Sequence, residues 1–428
     1  LMANYRKTFS EKRRYIGITL SYNDNSMNSS SDRIQTYLSV PELAVLKNDL
    51  SDNLNKTLSW KSIYSNPLSE TSTYSLGYSG SFTGLTMKND YYYFDQGSNL
   101  FNEDLSKKSI YKNSNTKHTL SGNYDSSIWG FDYTLRLEYE QYYTNFEEDV
   151  SGNSFNKKYS YFLPGISIKK QIDIGQNIDL HFNRSFVYPL NKQINQHIDY
   201  SDTTNIVTGN PTLEPSYTNS IYLGYSYFAE NILFTASGAY SKQENLIEKI
   251  TIQNNMTSSI TSYQNIAVFN RLTATISART KIFNLIKIDP SINWSDNEYL
   301  GQNINSRSSS WSINLRTSTS FKNLRFQINF QYLSPQKSAQ IKLAETYSAD
   351  ATVKMLLFDK QLSVSIKAND LFNTKNLNSR SYGNNFYSIN GNRETTRIFS
   401  LNISYYFKVK SSEGYEENED SKEYTDDF

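Results

Sequence analysis

The chain has three imidazoles, His118, His181 and His197, and their spacing limits what they can do. None stands in an H-E-x-x-H or similar pattern, so no zinc site is predicted. Cysteine is absent, which removes thiolate ligands, disulfides and cysteine nucleophiles together. Arg136, Glu138 and Glu140 recur at every second position and so share one face of a strand. Two carboxylates so placed can act as acid and base in glycoside cleavage. They can equally form a charge ladder with partners on neighbouring strands, and that reading is preferred here. No G-x-S-x-G elbow, phosphate loop or dinucleotide fingerprint accompanies them. The chain is therefore read as a non-enzyme, with no cofactor and no metal.

The wider composition narrows the class of protein. Of 428 residues, 37% are hydrophobic and 14% aromatic, with Tyr alone contributing 35. Aromatics at that level exclude a disordered chain. Mean hydropathy is −0.63, and no apolar run of about 18 residues appears, so a helical membrane span is excluded. Net charge is +1, from 43 basic and 42 acidic residues, so no global field points to nucleic acid. The opening LMANYRKTFSEKRR has no apolar core and does not read as a signal peptide. The chain is then either cytosolic or begins downstream of its natural start.

Alternation is the strongest local signal. Leu324, Phe326, Ile328, Phe330 and Tyr332 fall on one face of a strand, and Arg325, Gln327, Asn329 and Gln331 on the other. Phe131, Tyr133, Leu135, Leu137 and Tyr139 oppose Asp132, Thr134, Arg136, Glu138 and Glu140 in the same way. Similar strands are predicted at Ile16–Tyr22, Ile178–Tyr188, Ile221–Phe228, Ile232–Tyr240, Trp311–Thr317, Leu362–Ala368 and Phe399–Phe407. In all, about 17 strands are predicted, many reaching the roughly 9–11 residues that a tilted bilayer crossing needs. PELAVLKNDL, at 41–50, breaks the pattern and suits a helix.

A soluble β-sandwich also alternates polar and apolar faces. The connections separate the two architectures. Short turns are expected near Ile128–Gly130, Asp173–Gly175, Ala229–Asn231, Phe283–Asn284, Ser320–Asn323 and Phe358–Lys360. Long polar loops are expected at 146–157, 189–214, 243–265, 296–306, 334–344 and 371–393. Strict alternation places all short turns on one rim, as in an outer-membrane barrel. Trp129, Phe131, Phe283, Phe321 and Phe358 flank short turns, while Tyr142, Tyr143, Trp294 and Tyr332 lie near long loops. These are the positions of two interfacial girdles.

Two motifs then point to a family. NIVTGNPTLEPSYTNSIYLGYSYF, residues 205–228, resembles the GNP-x-L-x-P motif of TonB-dependent outer-membrane receptor barrels, carried by Gly209, Asn210, Pro211, Leu213 and Pro215. NDLFNTKN, residues 369–376, resembles the family's D-L-F-N stretch through Asp370, Leu371, Phe372 and Asn373. The final alternating strand resembles a barrel-assembly signal, and the whole is similar to the Bacteroidota type of outer membrane protein beta-barrel. Both motifs read as scaffold: the prolines stiffen the entry to a strand, and Asp370 and Asn373 suit a strand-exit turn.

The resemblance implies an all-β, transmembrane antiparallel β-barrel, with about 17 strands present of an expected 22 or so and no plug domain. Residues 1–53 would hold the first barrel strands, 54–407 the transmembrane barrel, and 408–428 an acidic, disordered periplasmic tail. The implied function is TonB-dependent uptake of a bulky nutrient (glycan, peptide or metal chelate) in a Gram-negative outer membrane. Implied partners are outer-membrane lipid, the TonB complex through a region not seen here, and a surface lipoprotein. The alternatives are a passive porin-like or adhesive barrel, and a soluble all-β glycan-binding protein. Ligand contacts are expected in the outer loops: His197 and Tyr200 in 189–214, and Arg380, Tyr382, Asn384, Asn385, Phe386 and Tyr387 in 371–393. Aromatic faces with amide neighbours suit sugar stacking and hydroxyl bonding.

Overall fold

A computed structural model describes residues 1–407, apart from 10–13, 38–39, 96, 106–107, 150–151, 197, 200–204, 254–257, 302–304, 339–340, 376–377, 383–386 and 392–394. The acidic segment 408–428 lies outside the described residues, as do His197, Tyr200, Asn384, Asn385 and Phe386. In chain order the strands begin with β1 (Met2–Thr8), β2 (Tyr15–Tyr37), β3 (Val40–Pro67), β4 (Ser72–Asp95), β5 (Leu100–Glu103), β6 (Ser109–Ile128), β7 (Phe131–Glu148), β8 (Ser154–Asp173) and β9 (Gln176–Val187). A short helix, α1 (Asn191–Ile194), leads to β10 (Ile198–Asp199), β11 (Asn205–Thr208), β12 (Ser216–Ala229), β13 (Ile232–Gln253), β14 (Ser259–Ile282), β15 (Ile286–Leu300), β16 (Asn305–Phe321) and β17 (Leu324–Leu333). Last come β18 (Gln336–Lys337), β19 (Ile341–Leu343), β20 (Thr346–Leu357), β21 (Leu362–Asn369), β22 (Ser379–Tyr382), β23 (Tyr387–Asn390) and β24 (Ile398–Tyr405).

Twenty strands share one sheet. Three of them, β5, β10 and β11, are short rim pieces. The other seventeen form one antiparallel meander in sequence order, from β1 to β24. Among the described residues β1 bonds only to β2, and β24 only to β21.

Cross-strand registers explain why the pattern folds this way. Tyr225, Ala236, Ile276, Ile292, Ile313, Tyr332 and Tyr347 stand opposite one another in one row across seven strands. A slip of one residue on any strand would turn its whole apolar set to the other face. That apolar face has nothing packed on it: Leu120 is 58% exposed, Leu137 55%, Ile276 55% and Leu401 64%. Only seven hydrophobic residues among those described are buried, among them Phe146, Leu213 and Ile194. A sandwich buries its apolar faces between two sheets; this molecule leaves a wide apolar belt for lipid instead.

Turn chemistry fixes the short rim. Trp129 and Gly130 both take left-handed φ, 55° and 75°, between β6 and β7. Two such residues match the twist of a tight hairpin. Phe283 and Asn284 repeat the arrangement between β14 and β15.

The long rim departs from expectation in two ways. PELAVLKNDL is not helical: residues 41–50 belong to β3, where Leu50 pairs with Ser30 and with Asp90. The connections expected at 146–157, 243–265 and 296–306 are largely strand as well. β13 and β14 stay paired up to Gln253 and Ser259, and β15 and β16 up to Leu300 and Asn305. The ladder persists there on backbone pairing, beside buried residues such as Phe146, Ile250 and Thr261.

Candidate functional site

The long rim carries two built features. The first is the connection from β9 to β12. At its start the Tyr188 hydroxyl donates to Glu140 Oε1 at 2.6 Å, while Lys117 Nζ lies 2.6 Å from Glu140 Oε2. Burial, joined by the Glu140 carboxylate, pushes the Tyr188 phenol above its ordinary pKa. The Tyr188 ring stacks on Tyr142 with centroids 3.9 Å apart. Glu140 is thus a buried anchor on the polar face, while Glu138 pairs with Arg136 at 2.6 Å. The two carboxylates serve different partners.

At its end the same connection is held by the G-N-P-x-L-x-P residues. Asn210 Nδ2 donates to the Tyr263 carbonyl at 2.9 Å, and its Oδ1 accepts from the Thr212 amide at 2.9 Å. Lys157 Nζ donates to the Leu213 carbonyl at 2.7 Å, and the Leu213 side chain is buried. Asn265 exchanges two bonds with the backbone of Glu214. A Cβ on Gly209 would lie 2.2 Å from the Asn195 carbonyl oxygen, so glycine is required there. Pro215 is buried too and, with Pro211, stiffens the entry into β12. Meanwhile β11 adds in parallel to the outer end of β14. The connection is clamped from β7 and β8 across to β14.

The second feature is a separate four-stranded sheet, β18-β19-β22-β23, joining the 334–345 and 370–397 connections. The D-L-F-N turn launches it. Asp370 and Asn373 are left-handed, at φ 43° and 56°, and the Asn373 amide donates to the Asp370 carbonyl. Leu371 donates its amide to the Ala349 carbonyl, and the Phe372 side chain stands exposed.

Register places Arg380, Tyr382, Tyr387 and Ile389 on one face of this sheet, with Tyr382 opposite Tyr387 and their ring centroids 5.4 Å apart. Arg380, Tyr382 and Tyr387 are named from the sequence; Ile389, Lys337 and Lys342 are not, and the pairings put both lysines on the same face. The only available signal was K-S-A-Q-I-K, a hairpin whose register sets the two lysines opposite. A cavity of about 380 Å³ opens beside the sheet, lined by Lys342, Glu345, Asn378, Arg380 and Ile389 among others. Among the described residues no group of three metal-ligating side chains gathers anywhere. His118, on β6, faces the Tyr78 hydroxyl at 2.9 Å, and His181 lies 3.2 Å from Asp179, both on β9.

Comparison with known proteins matches this architecture. The model of a family described as "Outer membrane protein beta-barrel family" matches residues 7–405. Comparison with curated protein sequences finds no match. Among solved structures, the unliganded ferric citrate transporter FecA is similar at TM-score 0.66 and 14% identity, over 94% of this chain and 61% of that one. The copper transporter OprC is similar at TM-score 0.68 and 10% identity, over 95% of this chain and 65% of that one. The pyoverdine outer membrane receptor FpvA from Pseudomonas aeruginosa PAO1 is similar at TM-score 0.65 and 12% identity, over 95% and 61%. The chain thus spans under two thirds of the length of these structures, and at such identities the likeness is one of fold.

Proposed function

This chain belongs to the outer membrane protein beta-barrel family and lies in the outer membrane of a Gram-negative bacterium, and from that premise we propose that it is the barrel of a TonB-dependent receptor importing a bulky nutrient. The observation that carries the reading is the asymmetry of the two rims. One rim is closed by minimal turns, whereas the other carries a clamped connection and a second sheet assembled from two connections. Such a rim is a recognition surface on a rigid scaffold. The names of the similar structures, a ferric citrate transporter, a copper transporter and a pyoverdine receptor, support uptake as the task. The nutrient class stays at glycan, peptide or metal chelate, with the TonB complex and a surface lipoprotein as partners.

Ligand contact is proposed at the second sheet, through Arg380, Tyr382 and Tyr387. Nutrient-dependent growth of cells carrying the full-length protein tests the reading. Uptake should vanish when TonB is deleted. Equal uptake with and without TonB would instead support a passive, porin-like barrel.

A further inference from the structure

We propose that the exposed face of the β18-β19-β22-β23 sheet binds an acidic oligosaccharide, a sugar chain bearing carboxylate or sulfate groups. The inference rests on the receptor reading above only in taking this rim as outward-facing.

Its first ground is a row of like charges. Lys337 pairs directly with Lys342, and Lys342 directly with Arg380, so three cations lie side by side on three neighbouring strands. Adjacent strands are about 5 Å apart, and like charges directly opposite destabilise a sheet. Among the described residues none of the three forms an ion pair. The one carboxylate among the described residues that line the adjoining cavity, Glu345, accepts from the Tyr332 hydroxyl at 3.5 Å. A local arrangement that opposes folding and lacks internal compensation is expected at a functional site. An anion with charges repeated along its length would relieve it.

The second ground selects sugar over other anions. On the same face Tyr382 lies two residues beyond Arg380 in β22, and Tyr387, 54% exposed, stands opposite it on β23. Aromatic faces beside cations suit pyranose rings carrying acidic substituents, since the rings stack while the charges pair. An acidic peptide would use the cations and leave the tyrosine faces idle.

Calorimetric titration of the full-length protein in detergent tests this. The probes are oligogalacturonate, a chondroitin sulfate oligosaccharide, methyl-esterified oligogalacturonate of equal length and an oligoglutamate peptide. At least one acidic saccharide should bind. That binding should weaken about tenfold or more in a Lys342→Gln, Arg380→Gln variant, and similarly in Tyr382→Ala, Tyr387→Ala. It should also weaken as ionic strength rises. Both variants change exposed side chains, and retention of heat-modifiable migration on gels verifies their fold. Failure of both acidic saccharides to bind overturns the proposal. So does equal binding of the esterified chain, while tighter binding of oligoglutamate would make the site one for acidic peptides. Because binding is read without transport, TonB-independent uptake would remove the receptor reading and leave this one standing.

Discussion

The Thr396 hydroxyl donates to the Asp370 carboxylate at 2.5 Å, tying the exit of β21 to the approach of β24. The same carboxylate also accepts from the Thr374 amide at 2.9 Å and the Lys375 amide at 3.1 Å. Burial pushes the Asp370 carboxyl upward, but the bonds from Thr396, Thr374 and Lys375 outweigh it and hold its pKa below the ordinary value. The ionised form therefore stabilises the fold above the unfolded pKa, and that contribution is lost as pH falls through the lowered folded value.

Asp370→Asn should accordingly cost about 1–3 kcal/mol at neutral pH, because one amide cannot accept from every donor. The melting temperature of the SDS-resistant form reads this directly. The gap to wild type should close in acid, below the usual carboxylate range. A gap independent of pH would assign the effect to packing instead.

The two faces of the meander make a sharper contrast. Leu137, 55% exposed in the apolar belt, should lose about 2–4 kcal/mol on replacement by Arg. Gln327 lies on the opposite, polar face, and Gln327→Arg should change stability little. Urea titration in detergent or bilayers compares the two, and equal tolerance would reverse the assignment of the faces.

Gly209→Ala places a methyl group against the Asn195 carbonyl. The β9–β12 connection should then loosen without loss of the barrel. Limited proteolysis should cut faster within 189–214, while heat-modifiable migration stays unchanged. Unaltered cleavage would show that the connection accommodates the group.

Orientation can be read with single thiols, since the chain has no native cysteine. Gln336→Cys on the long rim should react with an impermeant maleimide on intact cells. Asp359→Cys on the short rim should react only after lysis. The reverse pattern would invert the topology.

How far the sequence could be read depended on where alternation had a physical cause. Phe326 and Ile328 face lipid while Gln327 does not, so their strand was plain from residue types. Trp129–Gly130 and Phe283–Asn284 were legible as turns because the alternating runs stop on both sides. Beyond Asn245 the β13–β14 arm is held by its ladder and, at Asn265, by side-chain bonds to the backbone of Glu214 and Asn245, while Gln264 and Asn265 as residue types gave no hint of strand. Lys337 and Lys342 were unremarkable as separate lysines and became neighbours only through a hairpin register. Glu140 read correctly as a residue of the polar face, but the period of the predicted strand Ile178–Tyr188 set its partner Tyr188 with Ile178 and Leu180, whereas β9 ends at Val187 and the Tyr188 hydroxyl meets Glu140.

Among the described residues β1 and β24 each pair with one strand of the meander, and these two edges carry a parity constraint. Successive neighbours in the meander all run antiparallel, so the seventeenth strand, β24, points the same way as β1. Zipping these edges directly together would produce a parallel seam. A ring held only by antiparallel ladders has an even total, so these seventeen strands would close in that way only together with an odd number of others. A single hairpin, with its two strands, is thereby the wrong supplement, whereas one, three or five strands satisfy the geometry.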